Sequence, residues 1–125
     1  MAHGIRPKYP LTVFYDGSCP VCSREMAGYM KRSSPMRLKF IDISRPDFEP
    51  SLYGRTRQEF MAAMHARDAA GKFYVGVDAF RALWLGMPGD FYPMLANLIA
   101  LPGAYRLARA GYRVFARLRH LLPPV

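Results

Sequence analysis

The sequence predicts an α/β domain closed by a helical C-terminal extension, and three observations carry that reading. An apolar run rich in strand formers, Leu11–Tyr15, leads through a tight turn into a helix-compatible run over residues 20–31. A second strand-like run over residues 38–43 follows, and a strand joined to its predecessor through a helix should lie parallel to it by a right-handed crossover. From Phe91 onward the chain carries helical apolar spacing with five arginines and no acid.

Size and composition agree. A chain of 125 residues with 51% hydrophobic and 14% aromatic content is long enough to bury one core without staples. Two cysteines are too few for a secreted disulfide framework, which makes a reducing cytoplasm the default compartment. Residues 1–10, with Pro7 and Pro10, read as an irregular leader without the apolar segment of a signal peptide. The His3 within it is read as a solvated tail residue. The net charge of +9 is uneven: residues 1–90 contribute +4 and residues 91–125 contribute +5. Such a basic end attracts nucleic acid, anionic lipid or an acidic partner. The scattered aromatics form no RNA-binding signature, so nucleic acid ranks below an acidic surface.

The first strand delivers the chain to Tyr15-Asp16-Gly17-Ser18-Cys19-Pro20-Val21-Cys22, which holds both cysteines. A dithiol that cycles through a disulfide needs one ionised thiol and a second within reach of the resulting mixed disulfide. Two intervening residues on the first turn of a helix supply that reach. Pro20 suits the first helical position, where no N–H is required. Cys19 then falls at the N-cap, where unpaired N–H groups and the helix dipole favour a thiolate. One turn in, Cys22 is expected to be less exposed and to act as the resolving thiol. Gly17 gives the turn its freedom, and Asp16 can bond backbone N–H groups or relay a proton. As an anion near Cys19, Asp16 also opposes the thiolate, so its net sign stays open. Arg24 and Glu25, a turn further on, are read as the solvated face of the helix.

Other uses of the pair are weaker. A structural disulfide across two residues restricts the unfolded chain little. Zinc needs about four ligands, and only His3, His65 and His120 are left to complete a site, unless two chains pool their cysteines. Covalent haem attachment needs His after the second cysteine, and Ser23 stands there.

The pattern Tyr15-Asp16-Gly17-x-Cys19-Pro20-x-Cys22 resembles the signature of the DCC-type thiol-disulfide oxidoreductase family, named for an Asp and two Cys. A second similarity lies in Gly71-Lys72-Phe73-Tyr74-Val75-Gly76-Val77-Asp78-Ala79-Phe80, a glycine turn, short strand and helix start. The segment from Pro102 to Arg119, with Tyr112 followed by Ala116, is similar to the family's closing helix. Together these cover roughly residues 10 to 120. The resemblance implies a thioredoxin-like three-layer sandwich over residues 11–90, with basic amphipathic helices over 91–125 packed on it. It also implies disulfide exchange through Cys19, Cys22 and Asp16, with Tyr15, Gly17, Ser18 and Pro20 shaping the site. No bound cofactor is implied. The implied partners are a disulfide-containing protein or small thiol and a cellular dithiol reductant. One departure stands out: thioredoxin-like proteins usually place a cis-proline before the third strand, and no proline occurs between Pro50 and Pro88.

The remaining elements follow in order. Residues 44–54, with Pro46 and Pro50, read as a loop that covers part of the site. Thr56 and Glu59 stand at capping-box spacing and open a short helix to about Phe60. Periodicity alone allows that helix to run on to Arg67; the family resemblance favours a strand over 62–67 paired with one over 72–75, with His65 structural. Residues 77–85 carry Ala79, Phe80, Leu83 and Trp84 at helical spacing, a core-facing stripe. Phe91 to Leu101, between Pro93 and Pro102, is too short to span a bilayer and reads as a buried or interfacial helix. A final helix over 103–122 is expected to dock through Leu107, Val114, Leu118 and Leu121, leaving Arg106, Arg109, Arg113 and Arg117 for solvent, a membrane surface or an acidic partner.

Overall fold

A computed structural model describes residues 5–118. Four strands, β1 (Leu11–Tyr15), β2 (Leu38–Asp42), β3 (His65–Arg67) and β4 (Phe73–Val75), form one sheet in the order β2-β1-β3-β4. The strand β1 pairs parallel with β2, Leu11 opposite Leu38 and Tyr15 opposite Asp42. The hairpin β3–β4 adds antiparallel on the other side, with Val13 opposite Ala66. Five helices complete the fold: α1 (Pro20–Arg32), α2 (Arg57–Ala62), α3 (Val77–Leu85), α4 (Phe91–Ile99) and α5 (Pro102–Leu118).

Strand alternation divides the sheet into two packed faces. Leu11, Val13, Leu38, Ala66 and Tyr74 point to one side, where Met26 and Tyr29 of α1 and Ala79, Ala82 and Leu83 of α3 cover them. Phe14, Ile41 and Phe73 point to the other, onto Phe48, Tyr53 and Phe60. That second cluster is aromatic and tightly engaged, with the Phe14 ring 4.9 Å from both Tyr53 and Phe60. The result is the expected three-layer α/β sandwich.

Several details differ from the sequence reading. Met61 and Ala62 end α2 instead of opening β3. The cause is local: the Thr56 hydroxyl accepts from the Glu59 N–H at 3.1 Å while the Glu59 carboxylate accepts from the Thr56 N–H at 2.9 Å, and the nucleated turn carries on. The segment 44–54 contains a short 3-10 turn, Pro50–Tyr53, and lies against the aromatic face of the sheet. Within α1 the buried side chains are Met26 and Tyr29, whereas Val21 and Met30 are exposed. A cis peptide bond precedes Pro10, ahead of β1 and not of β3. Residues 5–10 lack regular structure but are tied down: the Tyr9 hydroxyl donates to the Ala82 carbonyl at 2.7 Å, and the Lys8 N–H donates to Asp68 at 3.1 Å.

The largest correction concerns α5. Its docking residues are Tyr105, which is buried and donates to Asp78 at 3.1 Å, and Tyr112, whose hydroxyl accepts the Met64 N–H at 2.7 Å. The expected seam faces away from the domain, with Leu107 76%, Val114 58% and Leu118 51% exposed. Apolar spacing alone cannot tell the two stripes apart; the tyrosines win because each has both a ring to bury and a hydroxyl with a partner on the core. Leu121 lies outside the described residues, as do His3 and His120.

Candidate active site

The dithiol turn is held from both sides by carboxylates. The buried Asp16, directly after β1, accepts from the Ser18 N–H at 3.0 Å and the Ser18 hydroxyl at 2.6 Å, closing an Asx turn. Asp42, at the end of β2, reaches across: its Oδ1 accepts from the Gly17 N–H at 2.8 Å, the Ser44 N–H at 2.9 Å and the Ser44 hydroxyl at 2.7 Å. Gly17 is required because a Cβ there would overlap the Asp42 carboxylate. Burial pushes the Asp42 carboxyl up, but the bonds from Ser44 and Gly17 outweigh it and hold it below its ordinary value.

Beyond the turn, Pro20 opens α1 and Cys19 is its N-cap. The Cys19 Sγ accepts from the Cys22 N–H at 3.5 Å, so one of the orphan N–H groups of the helix end points at sulfur. Both cysteines are free thiols. Their exposure runs opposite to the expected order: Cys19 is buried, 5% exposed, while Cys22 is only half-buried. The capping geometry turns the Cys19 side chain inward over the helix end and leaves Cys22 on the outer wall.

That wall belongs to a cavity of about 250 Å3 that includes Tyr15, Asp16, Cys22 and Glu25. Glu25 is exposed, as the solvated-face reading has it, and Tyr29 donates to its Oε1 at 2.9 Å while receiving the Trp84 indole N–H at 2.9 Å. Trp84 is thus only partly core; its polar edge braces α1. Arg24 is exposed as expected. No residue from 44–54 lines the cavity, so that segment is not its cover. The far walls come from Phe60, Met64, Phe80, Tyr112 and Phe115, gathered from α2, the connection after it, α3 and α5.

Asp42 was legible in principle, since Asp42-Ile43-Ser44 directly after an apolar strand is turn chemistry and the parallel register sets it beside Tyr15. No sequence signal marks the cavity walls. Among the described residues, no group of three or more His, Cys, Asp and Glu converges on a metal site. His65 lies under Phe60 and Phe73 with its Nδ1 2.9 Å from the Ala63 carbonyl, a structural position as expected. Burial, followed by the Arg55 charge, keeps its imidazole below the ordinary value despite the Ala63 bond.

With this geometry in view, the comparison with protein families is decisive: the model of the DCC1-like thiol-disulfide oxidoreductases matches residues 13–124. The chain belongs to this family. Membership agrees with the observed sandwich, which is thioredoxin-like, and with a CxxC at the start of its first helix. An uncharacterized chloroplastic protein of Arabidopsis thaliana is 36% identical over 78 residues, covering 61% of this chain. The aligned part spans about a third of that relative, 36% of its length. No solved structure matches the chain.

Proposed function

We propose that the protein reduces or exchanges disulfides through a two-step cycle at Cys19 and Cys22. The observation that carries this is the N-cap sulfur. Cys19 caps the start of α1 with the Cys22 backbone N–H directed at its Sγ, which sets the two thiols one turn apart. The Cys19 thiolate attacks a substrate disulfide, one substrate thiolate leaves, and a mixed disulfide forms. Cys22 then loses its proton to Asp16, which shares its cavity, and attacks the Cys19 sulfur. The second substrate thiolate departs and takes that proton, and the protein is left oxidised by two electrons. A cellular dithiol restores it. A reducing compartment such as the cytoplasm suits this cycle.

Cys22→Ser is expected to accumulate a mixed disulfide on Cys19, read by intact-protein mass after quenching. The exposure of Cys22 favours a second reading, in which Cys22 meets substrate first and Cys19 resolves. Trapping on Cys22 in Cys19→Ser, with none on Cys19 in the converse variant, selects that order. Asp16→Asn is expected to change the pH profile of thiol alkylation; an unchanged profile leaves Asp16 a turn residue.

The basic end supports a separate proposal: α5 lies on an anionic bilayer surface. Its outward Leu107, Val114 and Leu118 are flanked by the exposed Arg106, Arg109, Arg113 and Arg117, and α4 adds exposed Phe91, Met94 and Leu98. An apolar stripe bordered by arginines, with no acid after Asp90, fits an anionic interface better than an uncharged one. No helix among the described residues is long and apolar enough to cross a membrane. Co-sedimentation is expected with phosphatidylcholine vesicles containing phosphatidylglycerol and not with phosphatidylcholine alone, and it should be lost in Leu107→Glu/Val114→Glu. Failure to bind anionic vesicles, or dimerisation in solution that the same variant abolishes, refutes the proposal.

A further inference from the structure

The cavity beside the dithiol is built unlike the rest of this basic protein. Phe14, Met26, Phe60, Met64, Phe80 and Phe115 give it apolar walls. Its charged lining is Asp16 and Glu25, and among the described residues no Lys, Arg or His lines it although the chain carries a net charge of +9. Both carboxylates are positioned by neighbours. Ser18 fixes Asp16 with two hydrogen bonds, and the Trp84–Tyr29 pair fixes Glu25. Cys22 lines the same cavity as these two anions and the apolar walls. The volume, about 250 Å3, decides the size of occupant. An apolar cavity of about 150 Å3 holds benzene, so this one accommodates a substituted ring or a branched chain of similar bulk.

We infer that the cavity receives the apolar arm of a small disulfide or thiol that is uncharged or cationic near its sulfur, and presents that sulfur to the dithiol. The inference rests on the disulfide-exchange reading and adds the substrate class to it. The balance is that of the cycle above. The substrate S–S bond breaks, one half leaves as a thiolate and the other as a thiol carrying the Cys22 proton, and the protein keeps the Cys19–Cys22 disulfide. The substrate gains two electrons, and an external dithiol returns them to the protein. Either order of attack is served, since Cys22 lines the cavity and Cys19 is only three residues away. Small disulfides with carboxylates near the sulfur are disfavoured by Asp16 and Glu25, because like charges at close range cost binding.

The full reduced chain tests this with three disulfides: neutral dipyridyl disulfide, dianionic dithiobis(nitrobenzoate) and cationic cystamine. Each rate constant is divided by that of free dithiothreitol with the same reagent, which removes intrinsic reactivity. The normalised rate for the dipyridyl compound is expected to exceed that for the dianion at least about tenfold, a difference of about 1.4 kcal/mol. Glu25→Gln should narrow that gap by raising the dianion's rate several-fold. Phe115→Ala should lower the dipyridyl rate several-fold relative to cystamine. Equal normalised rates in the wild type, or variants that move all three together, overturn the inference. A binding readout separates this from failure of the exchange chemistry. The Cys19→Ser/Cys22→Ser protein should bind benzyl methyl sulfide, an unreactive neutral thioether, saturably, with shifts at the Met26 and Met64 methyls in NMR. Thiols that exchange in a protein whose cavity ignores that probe sink the substrate class alone. A cavity that binds it beside thiols that never exchange sinks the redox reading instead.

Discussion

Two turns in this molecule are held by the same device and serve different ends. The dithiol turn hangs on Asp16 and Asp42; the β3–β4 hairpin turn hangs on Asp68, which accepts from the N–H groups of Lys8, Ala70 and Lys72 at 3.0–3.1 Å and from the Tyr74 hydroxyl at 3.4 Å. In both, burial pushes the bridging carboxyl up and the hydrogen bonds outweigh it, leaving Asp42 and Asp68 below their ordinary values. The hairpin gathers all its donors on one carboxylate and ends in a closed turn. The dithiol turn divides them between two carboxylates from neighbouring strands, and the helix it feeds begins with a thiol. One arrangement fastens residues 5–10 to a hairpin; the other sets a thiol pair beside a cavity that Cys22 lines.

The comparison breaks most visibly at the carboxylates. Asp68→Ala leaves several donors of a buried turn without their acceptor and is expected to cost about 3 kcal/mol in denaturant unfolding, with thiol alkylation rates unaltered. Asp42→Ala is expected to cost less, about 2 kcal/mol, while changing the alkylation rate of the dithiol, because it frees the Gly17 N–H and loosens the turn before Cys19. Equal costs with no change in thiol reactivity would erase the distinction between the two turns.

The glycines give a smaller contrast. Gly17→Ala drives a methyl into the Asp42 carboxylate and is expected to cost about 2 kcal/mol. Gly71→Ala has room, since its Cβ would meet only the flexible Arg67 side chain at 3.5 Å, but φ there is +87° and the backbone strain costs about 1 kcal/mol. The smallest effect is in acid. A carboxylate whose folded value is depressed contributes stability that is complete above the ordinary value of 3.8 and is lost as pH falls through the folded value. Wild-type stability should therefore fall below about pH 4, and less steeply in Asp68→Asn and Asp42→Asn. An unchanged slope in either variant would remove that carboxylate from the acid response.

How far the sequence reaches follows from the range of each interaction. The dithiol turn was legible because its parts are neighbours: a strand, Asp16, Gly17, a capping position and Pro20 act on one another within a few residues. The Thr56–Glu59 capping box was legible for the same reason. The limits of α2 were not, because nothing in the sequence after Phe60 says whether a nucleated helix stops there or at Ala62. The docking face of α5 was misread because two apolar stripes share one helix. Only the Asp78 carboxylate and the Met64 N–H, far back in the chain, select the tyrosines. Glu25 is exposed, as its place on the helix implies, and only the tertiary structure adds its bond from Tyr29.

The sequence by itself determined the chemistry available here: two thiols at a helix start, a carboxylate beside them, an α/β frame and a basic end. Local hydrogen bonding and strand alternation carry that information, and they operate over a few residues. The tertiary structure alone decided which thiol is exposed, which carboxylate from a neighbouring strand holds the turn, and where a cavity forms. Those outcomes depend on side chains from five or more elements meeting at one point, and no local rule encodes such a meeting.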